Sequence, residues 1–204
     1  MSLVNWMDQV QQMCDRSLLR VEHPTVEDFI ALMQHIKGLY PYFFSQKIVL
    51  SQLQHDIQNG IDCIQRAMSR LGHPTTVLDL IRAEIRYHNG QREKCQDRKH
   101  SSIVAVLWLN RVLWFISAIV QVRLHKKRED PIQHAYALTL RKYHTWLTMT
   151  GFQTMVRLCT SKQRILSVIV DVPTVRRANV TLQKVYAKIH RYLIEEKVHF
   201  EFKV

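Results

Sequence analysis

The feature that most restricts this chain is the run from Ile103 to Val122. Its apolar residues, from Ile103 and Leu107 through Leu113 to Ile116 and Val120, point in every direction around a helix. The run is long enough to cross a bilayer, but Asn110 and Arg111 sit near its middle. A charge there costs about 2.5–3.5 kcal/mol even on the lenient insertion scale. A helix that is apolar all round has to be covered on every side. The run is therefore read as the central helix of a soluble domain with two layers of helices. A membrane, if met, is touched and not crossed.

Length and composition agree with that reading. The 204 residues suit one domain, taken as 1–204, and 47% hydrophobic content is too high for a disordered chain. Only 5 Gly and 5 Pro exclude collagen-like and low-complexity classes. The balance of 29 Lys+Arg against 17 Asp+Glu gives +12, which attracts polyanions, either nucleic acid or an anionic membrane face. Cys14, Cys63, Cys95 and Cys159 form no close pair, so no CxxC metal or redox motif is present. They read as reduced thiols of a cytoplasmic protein. The first residues lack a basic stretch followed by an apolar core, so no signal peptide is read and the Asn179-Val180-Thr181 sequon is expected to stay unmodified.

Helical periodicity runs through the sequence, and about eight helices are expected. One spans Met1 to about Leu19. Thr25-Val26-Glu27-Asp28 opens a second, which Pro41 ends. A third runs from about Ser45 to Leu71 and stops at Gly72, and a fourth from Thr75 to His88. The polar stretch from Asn89 to His100 reads as a loop, and Ser101-Ser102 cap the central fifth helix. Pro131 suits the first turn of a sixth helix, expected to run to about Cys159 with a bend at Gly151. A short helix over about Ser161 to Val170 and a last one over about Val175 to Val198 follow, then a docked tail.

Three polar signals interrupt the apolar pattern. Asp56 is the one charge in a line Val49, Leu53, Asp56, Gly60, Cys63 and Ala67 at helical spacing, so it either faces a groove or pairs with a cation at a boundary. Trp108 precedes Arg111 by nearly one turn, as a packed core aromatic with a cation–π neighbour or as a flat platform for a ring-shaped ligand. His144 shares a helical face with Leu140 and Leu147, as a satisfied core residue or as a ligand-binding group. Trp146, offset from that face, suits a membrane interface.

Three segments in register resemble the glycolipid transfer protein family. They are His55-Asp56-Ile57-Gln58-Asn59-Gly60-Ile61-Asp62-Cys63-Ile64, Leu107-Trp108-Leu109-Asn110-Arg111-Val112-Leu113, and Arg141-Lys142-Tyr143-His144-Thr145-Trp146-Leu147 with Phe152 after it. The end Phe202-Lys203-Val204 is similar to the family's aromatic-Lys-Val terminus. The resemblance implies an all-α, two-layer helical sandwich that takes one sphingolipid from a membrane. It implies that Asp56 accepts hydrogen bonds from head-group hydroxyls and the lipid amide, that Trp108 stacks on the first sugar, and that His144 bonds the amide region. Leu53, Val104, Leu140 and Phe152 would line the acyl-chain pocket, and Trp146 would dock on the membrane.

The chain departs from the family's sugar-binding pattern on its third helix. Gly60 replaces an Asn one turn after the Asp, with Asn59 as its neighbour, and Cys63 replaces a Lys. Phe202 stands where an aromatic with a hydroxyl can occur. The phosphate-head branch uses cations around the positions of Trp108 and Val112, which argues against a phosphate head here. Two explanations follow: a small or unusual sugar head, or a retained fold that serves as a lipid sensor or interaction module without efficient transfer. A basic helical nucleic-acid-binding module is the competing class, although the cations are dispersed and no nucleic-acid motif appears. No enzyme motif is present, and no catalytic residue, metal or cofactor is expected. The expected partners are a sphingolipid ligand and, transiently, a cytosolic membrane face, with the protein a monomer.

Overall fold

The computed structural model describes residues 3–15, 22–43, 47–97, 100–125, 130–145, 150–151, 154 and 172–201. Within them the chain is helical: α1 (Leu3–Met13), α2 (Val26–Lys37), the short α3 (Tyr40–Phe43), α4 (Lys47–Arg70), α5 (Val77–Tyr87), α6 (Ser102–His125), α7 (Pro131–Leu138) and α8 (Val172–Glu195). Two 3-10 turns, Arg92–Gln96 and Arg141–Tyr143, complete the pattern.

Local chemistry sets the helix starts. Thr25 caps α2, its hydroxyl accepting from the Asp28 amide at 3.0 Å. Thr76 and Asp79 form a reciprocal capping box on α5, which satisfies amides that a helix end otherwise leaves open. The two caps also meet each other. The Val26 amide donates to Thr75 O at 3.0 Å and the Val77 amide to Pro24 O at 2.9 Å, so α2 and α5 start from one shared bridge. Asp130 caps α7 by accepting from the Ile132 and Gln133 amides, with Pro131 in the first turn as its missing N–H allows.

α6 lies at the centre, packed by α4 and α5, by α7, and by α8. Its apolar window is 89% buried, so this membrane-length helix is a core element. Ile103, Leu109, Leu113, Ile116 and Ile119 are fully buried, each contributing roughly 1.5–3 kcal/mol. Several of its polar groups have individual partners. At its start the fully buried Glu84 of α5 accepts from the Ser102 amide at 2.9 Å and from the Ser102 hydroxyl, which places a carboxylate at the positive end of the helix dipole. Arg70 stands 3.7 Å from the same carboxylate. Midway, the Asn110 amide donates to Tyr186 O at 3.3 Å, and Arg111 donates to Phe200 O.

One expected helix is shorter than its periodicity suggests. α7 stops at Leu138, where the Thr139 hydroxyl donates back to Ala135 O at 2.7 Å. The chain then turns through Arg141–Tyr143 and leaves His144 in an extended conformation. Leu140 and His144 therefore do not share a face of one continuous helix, and Leu147 lies outside the described residues. The expected loop from Asn89 to His100 contains the 3-10 turn, in which Cys95 is buried. After α8 the chain docks, with Val198 fully buried. The expected helix over 161–170 lies outside the described residues.

Candidate functional site

α4 supplies the first wall. Asp56 stands at its surface, and its Oδ1 accepts from Gln52 Nε2 at 3.0 Å, one turn earlier. Partial desolvation raises its carboxyl above the usual range, against the opposing pull of the Gln52 bond and His55. The Asp56 charge in turn adds to the burial that raises the hydroxyl of Tyr40, so the two groups lie within electrostatic reach. Residues four apart share a helix face, so Gly60 continues the Asp56 line. A Cβ at Gly60 would lie 3.0 Å from Leu109 Cγ and Cδ2. At this point α4 presses on α6 beside Trp108.

The remaining α4 candidates point elsewhere. Cys63 is buried, its thiol donating to Ser101 O at 3.5 Å, and burial pushes its pKa up. That thiol serves the junction of α4 with the start of α6. Asn59 is exposed, and one residue before Gly60 its side chain is turned about 100° away from the Gly60 direction.

α6 and the turn after α7 supply the second wall. The half-buried Trp108 lies with its ring centroid 5.8 Å from that of His144, the planes tilted by 33°. His144 is 8% exposed, and its Nδ1 lies 2.9 Å from the Tyr136 hydroxyl. Burial, helped by the nearby Arg111 charge, lowers the imidazole to about 4, so it is neutral at physiological pH. Burial likewise raises the Tyr136 hydroxyl, which keeps it protonated.

Arg111 makes a cation–π contact with Tyr143. It is 3% exposed, and its guanidinium carbon sits 3.5 Å from the centroid of Tyr143, the neighbour of His144. Burial lowers its pKa, with Tyr143 pulling the other way. Arg111 thus joins three distant segments: α6, the turn holding His144, and the docked chain at Phe200. His190 and His199, with rings 4.6 Å apart at a right angle, flank this group, and Arg111 and Lys142 add to the burial that lowers both.

Of the residues named from the sequence, Trp108 and His144 come together, and Asp56 lies on the α4 face that meets α6. Val104 and Leu140 are buried, and Leu53 packs half-buried against the core. Trp146 and Phe152 lie outside the described residues. Tyr136, Tyr143 and Tyr40 were missed. No spacing rule links Tyr136 to His144, because the intervening helix break hides that pair, and Arg111 is 32 residues from Tyr143.

Among the described residues no group of three or more His, Cys, Asp or Glu could hold a metal ion. What the Trp108–His144 pair offers is a half-buried indole beside a neutral imidazole, with the Asp56 carboxylate on the surface of α4. It suits a ligand with a ring and an amide.

Comparison with known proteins agrees with the fold. The chain is 25% identical over 175 residues to the glycolipid transfer protein of Xenopus tropicalis, spanning 81% of this chain and 78% of that one. It superposes with a TM-score of 0.79 on human ceramide-1-phosphate transfer protein in complex with 2:0 ceramide-1-phosphate, at 15% identity, over 98% of this chain and 99% of that one. A FAPP2 structure that selects simple glycosphingolipids using the GLTP-fold gives a TM-score of 0.75 at 17% identity, covering 94% and 95%. These structures fix the architecture as the all-α sandwich of that type. The family model for glycolipid transfer protein matches residues 25–171, well over half the sequence, and the chain belongs to that family.

Proposed function

We propose that this protein binds sphingolipids and carries them between membranes without chemical change, with preference for a small sugar head group. The observation that carries the reading is the Trp108–His144 pair, with the imidazole held neutral and oriented by Tyr136. A pyranose has an apolar C–H face, which stacks on the indole, and a hydroxyl edge, which donates to Asp56. An amide needs one acceptor and one donor. Asp56 accepts from its N–H. His144 donates to its carbonyl when the Tyr136 hydroxyl donates to Nδ1 and the imidazole proton sits on Nε2. The acyl chains enter the apolar interior beside Val104 and Leu140, gaining about 0.8 kcal/mol per CH₂ removed from water.

The preference for a small head follows from α4. Gly60 offers no polar side chain and Cys63 is turned inward, so two groups that could reach further sugar hydroxyls are missing. Each such hydrogen bond is worth roughly 0.5–1.5 kcal/mol. A phosphate head is disfavoured because Trp108 and the buried Val112 occupy the facing positions of α6, and Arg111 is engaged with Phe200 and Tyr143. Relatives that select simple glycosphingolipids or bind ceramide-1-phosphate with the same fold frame the choice. The expected place of action is the cytosolic face of membranes.

Transfer of fluorescent monohexosylceramide and ceramide-1-phosphate between neutral vesicles tests the reading. Transfer of the sugar lipid, with the phosphate lipid slower, is expected. Undetectable binding of every sphingolipid would overturn it. Binding without transfer would assign the same site to a lipid sensor.

A further inference from the structure

α8 presents a second surface that the lipid site does not use. Its inner face, with Val175, Leu182, Val185, Ile189 and Leu193, is fully buried against the core. Its outer face is ordered in charge. From Val172 to Ile194 the helix carries Arg176, Arg177, Lys184, Lys188 and Arg191 and no carboxylate, the first acid being Glu195. Arg176, Arg177, Lys184 and Arg191 are exposed. Arg177 also donates to Thr174 Oγ1 at 3.1 Å, and Arg191 stands 3.7 Å from Glu195 with both side chains more than half exposed.

The spacing divides this face into two edges. Arg177, Lys184 and Arg191 recur every seven residues, as do Val180, Ala187 and Ile194. At about 100° and 1.5 Å per residue, seven residues return each set to nearly the same direction about 10 Å further along. One edge, through Arg177, Lys184 and Arg191, is therefore basic, and the other, through Val180, Ala187 and Ile194, is aliphatic and opens with Arg176, over roughly 27 Å between Arg176 and Ile194. Val180 and Ile194 are 45% and 53% exposed on that aliphatic edge.

We propose that this outer face of α8 is an electrostatic docking surface for a membrane rich in anionic lipid head groups. A protein partner suits it less well. Specific protein interfaces are centred on large anchors, commonly aromatic, in desolvated pockets. This face offers Val, Ala and Ile between long, mobile cationic arms. A plane of mobile negative charge needs no shape complementarity, and contact made by charge is reversible, as a carrier requires. That last point rests on the transfer reading; the docking itself needs no sphingolipid.

Co-sedimentation of the full chain with vesicles of phosphatidylcholine alone, or mixed with phosphatidylserine, tests the proposal. Binding to the mixed vesicles is expected, falling as salt rises because exposed charges are screened. Each cation near such a surface is worth about a factor of five. The triple variant Arg177→Gln, Lys184→Gln, Arg191→Gln should therefore bind roughly a hundredfold more weakly. The variant Arg66→Gln, Arg86→Gln, Lys94→Gln, which has the same net charge, should bind like the parent. Equal losses in both variants would reduce the effect to net charge and overturn the assignment. So would parental vesicle binding by the α8 variant, or its loss of binding to double-stranded DNA but not to vesicles. Sphingolipid binding in neutral vesicles, measured alongside, should be unchanged in the α8 variant. Its absence in the parent would count against the transfer reading and leave the docking result legible.

Discussion

The Tyr136 hydroxyl lies 2.9 Å from Nδ1 of His144 across the break that ends α7. Both groups are buried, so the contact is shielded from bulk water. The helix break makes this possible: on a continuous helix, residues eight apart stand more than two turns from each other.

Tyr136→Phe should release the imidazole tautomer. Nitrogen chemical shifts of His144 should move toward a mixture of the two neutral forms, and affinity for an amide-bearing sphingolipid should fall on the order of tenfold. A sugar lipid built on glycerol, which lacks the amide, should be bound as before. Unchanged nitrogen shifts would remove Tyr136 from the account.

Trp108→Ala and Asp56→Val should each weaken glycolipid binding, on the order of tenfold, while far-ultraviolet circular dichroism stays helical. Neither side chain is fully buried, so neither leaves a closed cavity in the core. Vesicle transfer and equilibrium binding check this, and parental affinity in both variants would defeat the assignment of roles.

Acid should destabilise the protein in a defined window. His144 is held at about 4 against 6.5 unperturbed. Below pH 6.5 the unfolded chain takes up a proton that the folded one refuses, so stability is lost as pH falls toward 4. The loss attributable to His144 is on the order of 2 kcal/mol between pH 7 and pH 5. His35, His190 and His199 are lowered as well and act with the same sign. Urea unfolding at the two pH values, in the parent and in His144→Phe, measures the share of His144; an identical pH slope in both would assign the loss to the other histidines.

Gly60→Ala sets two effects against each other. Alanine is better than glycine inside a helix by about 0.8–1.0 kcal/mol. The new methyl, however, meets the fully buried Leu109 at 3.0 Å, and overpacking costs roughly 1–3 kcal/mol. A net loss of about 1 kcal/mol is expected, reduced when Leu109 is also shortened to Val. A stabilised single variant would show that α4 and α6 can move apart at this point.

Much of the fold was legible because its determinants are local. The all-round apolar pattern from Ile103 to Val120 demanded a covered central helix, and Thr25 and Pro131 announced their helix starts. The α7 boundary was hidden because Leu140, His144 and Leu147 keep helical spacing in sequence, while the backbone leaves the helix after Leu138 and turns through Arg141–Tyr143. At the site, residue types marked Trp108 and His144 as candidates. The pairing of Arg111 with Tyr143 and Phe200 was not legible, since it depends on segments that meet only after α6, α7 and α8 have packed.

That last contact has a consequence for biosynthesis. Arg111 leaves the ribosome about ninety residues before Phe200, its backbone partner. Until that late segment arrives, a nascent greasy rod with a cation at its waist must wait half-clothed, attractive to chaperones and to insertion machinery alike. A stop codon a few positions ahead of Phe200 would strand it in that condition, and the expected product is an aggregate and not a shorter, working carrier.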